Sequence, residues 1–259
     1  MKKIILLLLL SFGVKTAFAE CAIRTMNFFP ETKEISLNSK FIIQGYGLSQ
    51  ETIIGFKTRK VFLESEHGEL IELHLQEFYI GQMALTQAVF CPVTELKPNT
   101  KYVLKYADQT KSEEQEMYQY NRAKQIQEKV YWKTTAEKHL DPLNSDLTLD
   151  FEETEVVLYG CGPSANAVFA IKNKPKAEIW YKTEVVDLST NTKTVFYIKE
   201  WDDKLQVGHG MCAGAFTYKN KGNYKVRFTP MNIDGKSLKT TEWTTFESPY
   251  MSEINPFGN

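Results

Sequence analysis

The stretch LKPNTKYVLKY, residues 96–106, joins a turn to the first residues of a strand. Pro98 restricts φ in the connection, and Asn99 and Thr100 favour a turn. Tyr102 then begins a run in which apolar residues alternate with others on one face. In a β-sandwich, a tyrosine at such a corner buries its ring and hydrogen-bonds the preceding turn through its hydroxyl. The stretch therefore predicts a sandwich in the first half of the chain.

The same residues resemble a known family. The pattern L-x-P-x-T-x-Y is similar to that corner in fibronectin type III domains, with Leu96, Pro98, Thr100 and Tyr102 at its four positions. The run VYWKTT, residues 130–135, is similar to the closing strand of that family, and the segment from Pro30 resembles the entry of bacterial Ig-like domains on exported proteins. The resemblance covers about half of the mature chain and implies a fold more than an activity.

The second half repeats this arrangement. Short alternating runs are separated by turn residues, and Gly222-x-Tyr224 stands where the first half has its proline and tyrosine. The expected fold class is all-β, with two tandem Ig-like or fibronectin type III-like sandwiches at residues 20–136 and 151–259 and a linker at residues 137–150. One larger sandwich or barrel is the alternative.

The first nineteen residues predict a cleaved secretory signal. Lys2 and Lys3 precede an unbroken apolar run, and Ala17-Phe18-Ala19 supplies small residues where a signal peptidase cleaves, before Glu20. A membrane anchor is the alternative, but the apolar run is short for a span of about 20 residues. A lipoprotein acylated at Cys21 is a weaker alternative. We expect an exported protein in the periplasm, at the cell surface or in the medium, with no transmembrane segment in the mature chain.

The charge balance disfavours nucleic acid as a partner. Without Lys2, Lys3 and Lys15 the mature chain carries 28 basic and 32 acidic residues, a net charge of −4. A protein that binds nucleic acid generally presents a basic surface.

The four cysteines, Cys21, Cys91, Cys161 and Cys212, predict disulfides, because an even number in an exported chain is typical of structural bridges. Four cysteines allow three pairings. The division into two halves favours Cys21–Cys91 and Cys161–Cys212, one bridge in each half.

A long polar connection between Tyr106 and Val130 is one candidate binding site. A connection of this length inside a compact domain is usually functional or disordered. Met117, Tyr118, Tyr120 and Ile126 would supply apolar surface for a partner. A mobile charged loop or a longer hairpin is the alternative.

Trp180 and Trp201 are a second candidate. Trp180 alternates with charged residues, and Trp201 lies among Glu200, Asp202 and Asp203, so both tryptophans are candidates for an exposed platform that binds a glycan. Tryptophans buried near a disulfide, which are common in such sandwiches, are the alternative.

The sequence gives little support for catalysis or for a cofactor or metal site. GHGMCAG, residues 208–214, contains a Cys–His pair, but a nucleophile needs a thiol and an orienting group, and Cys212 has an expected disulfide role. The acidic residues around the linker lack a calcium-loop spacing.

The leading hypothesis is a non-catalytic module that binds another protein or a cell-surface component through loops and edge strands. A carbohydrate-binding module is the second hypothesis.

Overall fold

A computed structural model describes residues 21–22, 24–121, 124–136 and 143–251. The predicted signal peptide, residues 1–19, therefore lies outside the described residues. Within them the protein is all-β, as predicted, with two short helices. None of the helices described is long and apolar enough to cross a membrane.

The first half forms one sheet of eight strands, which curves around a single apolar core. Its strand order is β1-β3-β6-β5-β4-β7-β10-β2, and its first and last strands are neighbours in the chain. The strands are β1 (Arg24–Phe29), β2 (Glu34–Ile35), β3 (Phe41–Gly47), β4 (Val61–Ser65), β5 (Leu70–Ile80), β6 (Leu85–Pro92), β7 (Lys101–Tyr106) and β10 (Tyr131–Thr134). Two helices, α1 (Gln50–Gly55) and α2 (Lys111–Glu116), and a hairpin of β8 (Tyr118–Asn121) and β9 (Ile126–Lys129) complete this half.

The second half is a sandwich of two sheets, with orders β11-β12-β15 and β14-β13-β16-β17. Side chains alternate between its core and its outer faces, as in other packed antiparallel sheets. The strands are β11 (Thr148–Tyr159), β12 (Gly162–Lys172), β13 (Ile179–Asp187), β14 (Thr192–Ile198), β15 (Lys204–His209), β16 (Asn223–Asn232) and β17 (Thr244–Glu247). β11 begins at Thr148, inside the predicted linker at residues 137–150, and residues 137–142 of that linker lie outside the described residues.

Both predicted tyrosine corners form. The hydroxyl of Tyr102 accepts a hydrogen bond from the backbone N–H of Lys97 at 2.9 Å, and the hydroxyl of Tyr224 accepts one from Lys219 at 2.9 Å. Both rings are buried. Each tyrosine therefore ties its strand to the turn five residues upstream, in both halves.

Polar and apolar contacts join the two halves. The amide of the buried Gln87 donates to the carbonyl of Tyr197 at 3.2 Å and accepts from its N–H at 3.1 Å. Lys182 pairs with Glu77 at 2.7 Å. Burial raises the pKa of Glu77, but the hydrogen bonds from Lys182 and Tyr79 outweigh it and hold that pKa below its ordinary value. The charged groups at this contact are thus paired.

The predicted disulfide pairing is wrong. Cys21 is bonded to Cys212, with 5.7 Å between the Cα atoms, and the bridge links the two halves. Cys91 and Cys161 take no part in that bridge. The prediction assumed that each half folds with its own cysteines. In the structure the loop that carries Cys212 reaches the first half, where Gly214 and Met83 exchange two backbone hydrogen bonds of 2.9 and 3.1 Å.

Candidate functional site

The connection between Tyr106 and Val130 is ordered structure, and Met117 is buried in it. Thr110 caps α2, with its side chain accepting from the N–H of Glu113 while the Glu113 carboxylate accepts from the N–H of Thr110. Met117 ends the helix and packs in the core of the first half with no exposed surface. The prediction that Met117 offers contact surface is therefore wrong, because capping and core packing fold the segment back on the sheet.

Tyr118 and Tyr120 remain on the surface. They alternate along β8, so both lie on one face of the hairpin, and they are 46% and 55% exposed. Ile126, in the paired strand, is also exposed but lies on the other face. The three apolar side chains are thus divided between two faces and form no single patch.

Trp180 is buried, as in the alternative of a buried sandwich tryptophan, and it is not part of an exposed platform. Its side chain is 1% exposed, and its indole N–H donates to Glu178 at 2.9 Å. The other oxygen of Glu178 accepts from the backbone N–H groups of Glu31 and Thr32 in the first half. The alternation of Trp180 with charged residues was misleading, because this face of β13 is covered by the first half.

Trp201 is exposed, at 72%, and it lines a cleft between the halves together with Trp180. The cleft has a volume of about 380 Å³ and walls that are largely apolar. A more polar cleft of about 580 Å³ adjoins it, and both are lined by Glu31, Lys199 and Glu200. Lys199 pairs with Glu31 at 2.6 Å and lies over the ring of Phe29.

Most of the charged side chains at this cleft are held in ion pairs. Lys174 pairs with Glu200 and, at 3.3 Å, with Asp203. Oε2 of Glu200 is buried and has no hydrogen-bond partner among the described residues. The arrangement offers one open tryptophan face beside carboxylates, which suits a small polar ligand.

The Cys–His pair of GHGMCAG has no nucleophile, because the sulfur of Cys212 is in the disulfide. His209 is buried, which lowers its pKa, and its Nε2 lies 3.2 Å from the hydroxyl of Tyr250. A Cβ on Gly214 would overlap His209, so a glycine at that position permits the close packing of the loop. Among the described residues no cluster of His, Cys, Asp and Glu side chains is placed to hold a metal ion.

Sequence reasoning missed one surface, the hairpin of β11 and β12. Leu158 is 67% exposed, Tyr159 is 51% exposed and Val157 is 39% exposed, and all three lie beside its turn. A signal was present in the sequence, where the apolar run VVLY follows the acidic run at residues 152–155. The run at residues 156–159 predicts a strand, but the pattern does not show that its side chains are exposed.

β11 is also an edge strand of unusual length. It has twelve residues and pairs with β12 on one side, and no described strand pairs with its other side. Natural proteins usually keep edge strands short or cover them. The other edges of this sandwich follow that rule: β17 has four residues, β15 has six, and Gln87 covers the edge of β14 at Tyr197.

No known protein family matches the sequence, and no curated protein matches it. Solved structures with some likeness include a pullulanase from Anoxybacillus sp. LM18-11 in complex with maltotriose, with 8% identity, a TM-score of 0.25 and 82% of this chain covered. The chain spans about a quarter of that pullulanase, 24% of its length.

Two further structures show a similar level of likeness. A chain of a cytokine receptor complex has 8% identity and a TM-score of 0.26, with 85% of this chain and 94% of that chain covered. A DUF4785 family protein from Legionella pneumophila has 8% identity and a TM-score of 0.22, with 89% and 57% covered. These scores are too low to assign a family or an activity, so function is argued from the geometry of this chain.

Proposed function

We propose that the chain is an exported, non-catalytic module that binds another protein through the open edge of β11 and the apolar turn of its hairpin. The observation that carries this proposal is the twelve-residue edge strand that ends in Val157, Leu158 and Tyr159, all exposed. An open strand edge presents unpaired N–H and C=O groups to an incoming strand, and adjacent apolar side chains add contact area.

Both halves, in this proposal, are Ig-like sandwiches of the fibronectin type III kind. The support is the tyrosine corner in each half and the three-stranded and four-stranded sheets of the second half. Ig-like folds commonly bind through loops and strand edges. The Cys21–Cys212 disulfide supports export, since such bridges persist in oxidising compartments.

The test compares proteins captured from envelope and secreted fractions of the source organism. The bait is the oxidised protein, either wild type or carrying Leu158→Asp with Tyr159→Asp. The control bait carries Ile80→Asp, which alters an equally exposed apolar side chain on β5. We expect a defined set of proteins to be retained by the wild type and the control and lost with the hairpin variant. An unchanged set would contradict the proposal.

A glycan in the cleft is a second candidate function, favoured by the open face of Trp201 beside Glu200. Trp201→Ala is then expected to abolish glycan binding without altering the fold. Tyr118→Ala, which removes an exposed aromatic ring elsewhere, is the control. If a glycan array shows the same binding for all three proteins, the cleft is not the glycan site.

A further inference from the structure

The outer edge of β11 has two parts, because a bulge interrupts its pairing between Phe151 and Glu153. Residues 153–159 then pair with β12 without a shift, from Glu153 opposite Val168 to Tyr159 opposite Gly162. A bulge twists the strand and discourages a long added strand. The regular segment of seven residues is therefore the part that can accept one.

Alternation divides this segment into two faces. Val156 packs against the core of the second half, so Thr154 and Leu158 lie on the same face of the strand, and Leu158, beside the turn, is nevertheless exposed. The other residues of the segment lie on the outward face. The outward residues are Glu153, Glu155, Val157 and Tyr159. The outer face thus has an acidic end and an apolar end beside the hairpin turn.

The two acidic residues of this face are not held in close ion pairs, although Lys204, which pairs with Glu152, also attracts both at longer range. The neighbouring carboxylates are paired, Asp150 with Lys172 at 2.5 Å and Glu152 with Lys204 at 2.8 Å. Glu153 and Glu155 make no ion pair with any described residue. An added strand that places cations opposite them gains cross-strand attraction, whereas one that places carboxylates there is repelled.

We propose that residues 153–159 bind an extended partner segment as an additional antiparallel strand. In that segment Lys or Arg lies opposite Glu153 and Glu155, and apolar side chains lie opposite Val157 and Tyr159. Read from its N-terminus, the partner has two apolar residues at alternate positions followed by two basic residues at alternate positions. The antiparallel orientation continues that of the sheet and pairs more favourably per residue. This inference rests on the proposed function of the same edge.

A second copy of this chain is a poor occupant of the edge. Antiparallel pairing of residues 153–159 with the same segment of another copy places Glu153 opposite Tyr159 and Glu155 opposite Val157, and the segment itself contains no cation. Each carboxylate then faces an apolar side chain and gains no favourable cross-strand partner. Charge complementarity thus favours a basic segment of another protein.

The test measures the binding of fluorescent peptides to the oxidised protein. The matching peptide is Val-Thr-Tyr-Thr-Lys-Thr-Lys with flanking glycines, and a second peptide has glutamate in place of both lysines. A third peptide has the matching residues in reverse order, and a fourth has proline at the centre. We expect the matching peptide to bind about tenfold more tightly than the glutamate peptide. We also expect high salt to reduce that difference, and the proline peptide not to bind.

A charge exchange on the protein provides the matched control. Glu153→Lys with Glu155→Lys, both on the surface, is expected to reverse the preference between the lysine and glutamate peptides. Amide shifts in an NMR titration should be confined to β11 and the adjoining turn. The reversed peptide should bind more weakly, and equal binding would overturn the assigned orientation.

Other outcomes separate the inference from the proposed function. Equal affinity for lysine and glutamate peptides would overturn the charge assignment and leave strand addition standing. Equal binding of the proline peptide would overturn strand addition. If no peptide binds and capture by the hairpin variant is also unchanged, both proposals fail. A dimer in sedimentation velocity that Val157→Pro abolishes would assign the edge to a second copy.

Discussion

At the scale of single residues, the tyrosine corners show how one hydroxyl orders a crossover. Tyr102 and Tyr224 each accept a hydrogen bond from a backbone N–H in a turn, that of Lys97 and that of Lys219 respectively. Pro98 and Gly222 prepare those turns by different means, one by restricting φ and the other by the absence of a side chain. The motif is therefore local, and sequence reasoning can find it.

Removing either hydroxyl is expected to destabilise the protein. Tyr102→Phe and Tyr224→Phe each leave a backbone N–H without its acceptor, at an expected cost of about 1–2 kcal/mol in the free energy of unfolding. Urea denaturation measures this change. Tyr120→Phe, which alters an exposed ring, is the control and should change little. A change no larger than that of the control would mean that water satisfies these turns.

The two candidate tryptophans should differ strongly in their contribution to stability. Trp180→Ala removes a buried ring at the contact between the halves and is expected to cost about 3–5 kcal/mol. Trp201→Ala removes an exposed ring and is expected to change stability by less than about 0.5 kcal/mol. Thermal unfolding followed by circular dichroism distinguishes them, and similar losses for both would contradict the burial described above.

At the scale of elements, α2 shows how a polar segment is held in place. Arg59, beside β4, makes two hydrogen bonds to the Glu113 carboxylate and one to the carbonyl of Ala107. The hydrogen bond from Arg59 is the main reason that the pKa of Glu113 is lowered to about 2. The open edge of β11 belongs to the same scale, since the length of the strand and the position of its bulge define the segment that a partner strand can pair with.

The Glu113 contact should give a defined pH dependence. Because the pKa of Glu113 is lower in the folded chain, its contribution is complete above the ordinary value of 4.5 and is lost as the pH falls towards 2. Glu113→Gln is expected to lower the free energy of unfolding by about 1 kcal/mol at pH 7. The difference from the wild type should shrink between pH 5 and pH 2. Urea midpoints across this range measure it, and a difference independent of pH would contradict the assignment.

At the scale of the whole molecule, the two halves are held together by contacts that are distant in sequence. The Cys21–Cys212 bridge spans 191 residues, and the core of the first half includes Trp180, Tyr197 and Met231 from the second. The contact also satisfies backbone groups at the edge of β14 through Gln87. It therefore closes one edge of the second half, while β11 stays open.

Loss of the disulfide should lower stability substantially. In the chain-entropy model a bridge across 191 residues stabilises by about 5 kcal/mol, so Cys21→Ser with Cys212→Ser is expected to approach that loss. Urea denaturation with and without reductant measures it. Cys91→Ser is the control, since that thiol is outside the bridge. If the double variant unfolds like the control, the bridge adds nothing to stability.

Substitution of Gln87 should destabilise the protein as much as substitution of an apolar core residue. Gln87→Ala leaves the N–H and the carbonyl of Tyr197 without partners at the contact between the halves, at an expected cost of about 2–4 kcal/mol. Gln206→Ala, on the exposed face of β15, is the control and should be nearly neutral. Amide hydrogen exchange at Tyr197 checks the local effect, and unchanged protection there would contradict this role.

Several features could be predicted from the sequence because neighbours in the chain decide them. The all-β class follows from alternating runs and turn residues. The corners at Tyr102 and Tyr224 depend on hydrogen bonds between residues only five positions apart in the chain. The turn at Gly68, with φ of 84°, is equally local and joins β4 to β5. Alternation along a strand, however, shows that two faces differ and does not show what covers each face.

Tertiary structure alone decided the rest, because each of those outcomes depends on how the halves pack. Trp180 is buried by the first half, although its alternation with charged residues along the strand is typical of an exposed face. The partner of Cys21 is Cys212 because the packing of the halves brings the two ends of a 191-residue segment together. The same packing covers the edge of β14 and leaves that of β11 open, so the surface available to a partner is set by long-range contacts and not by any local pattern.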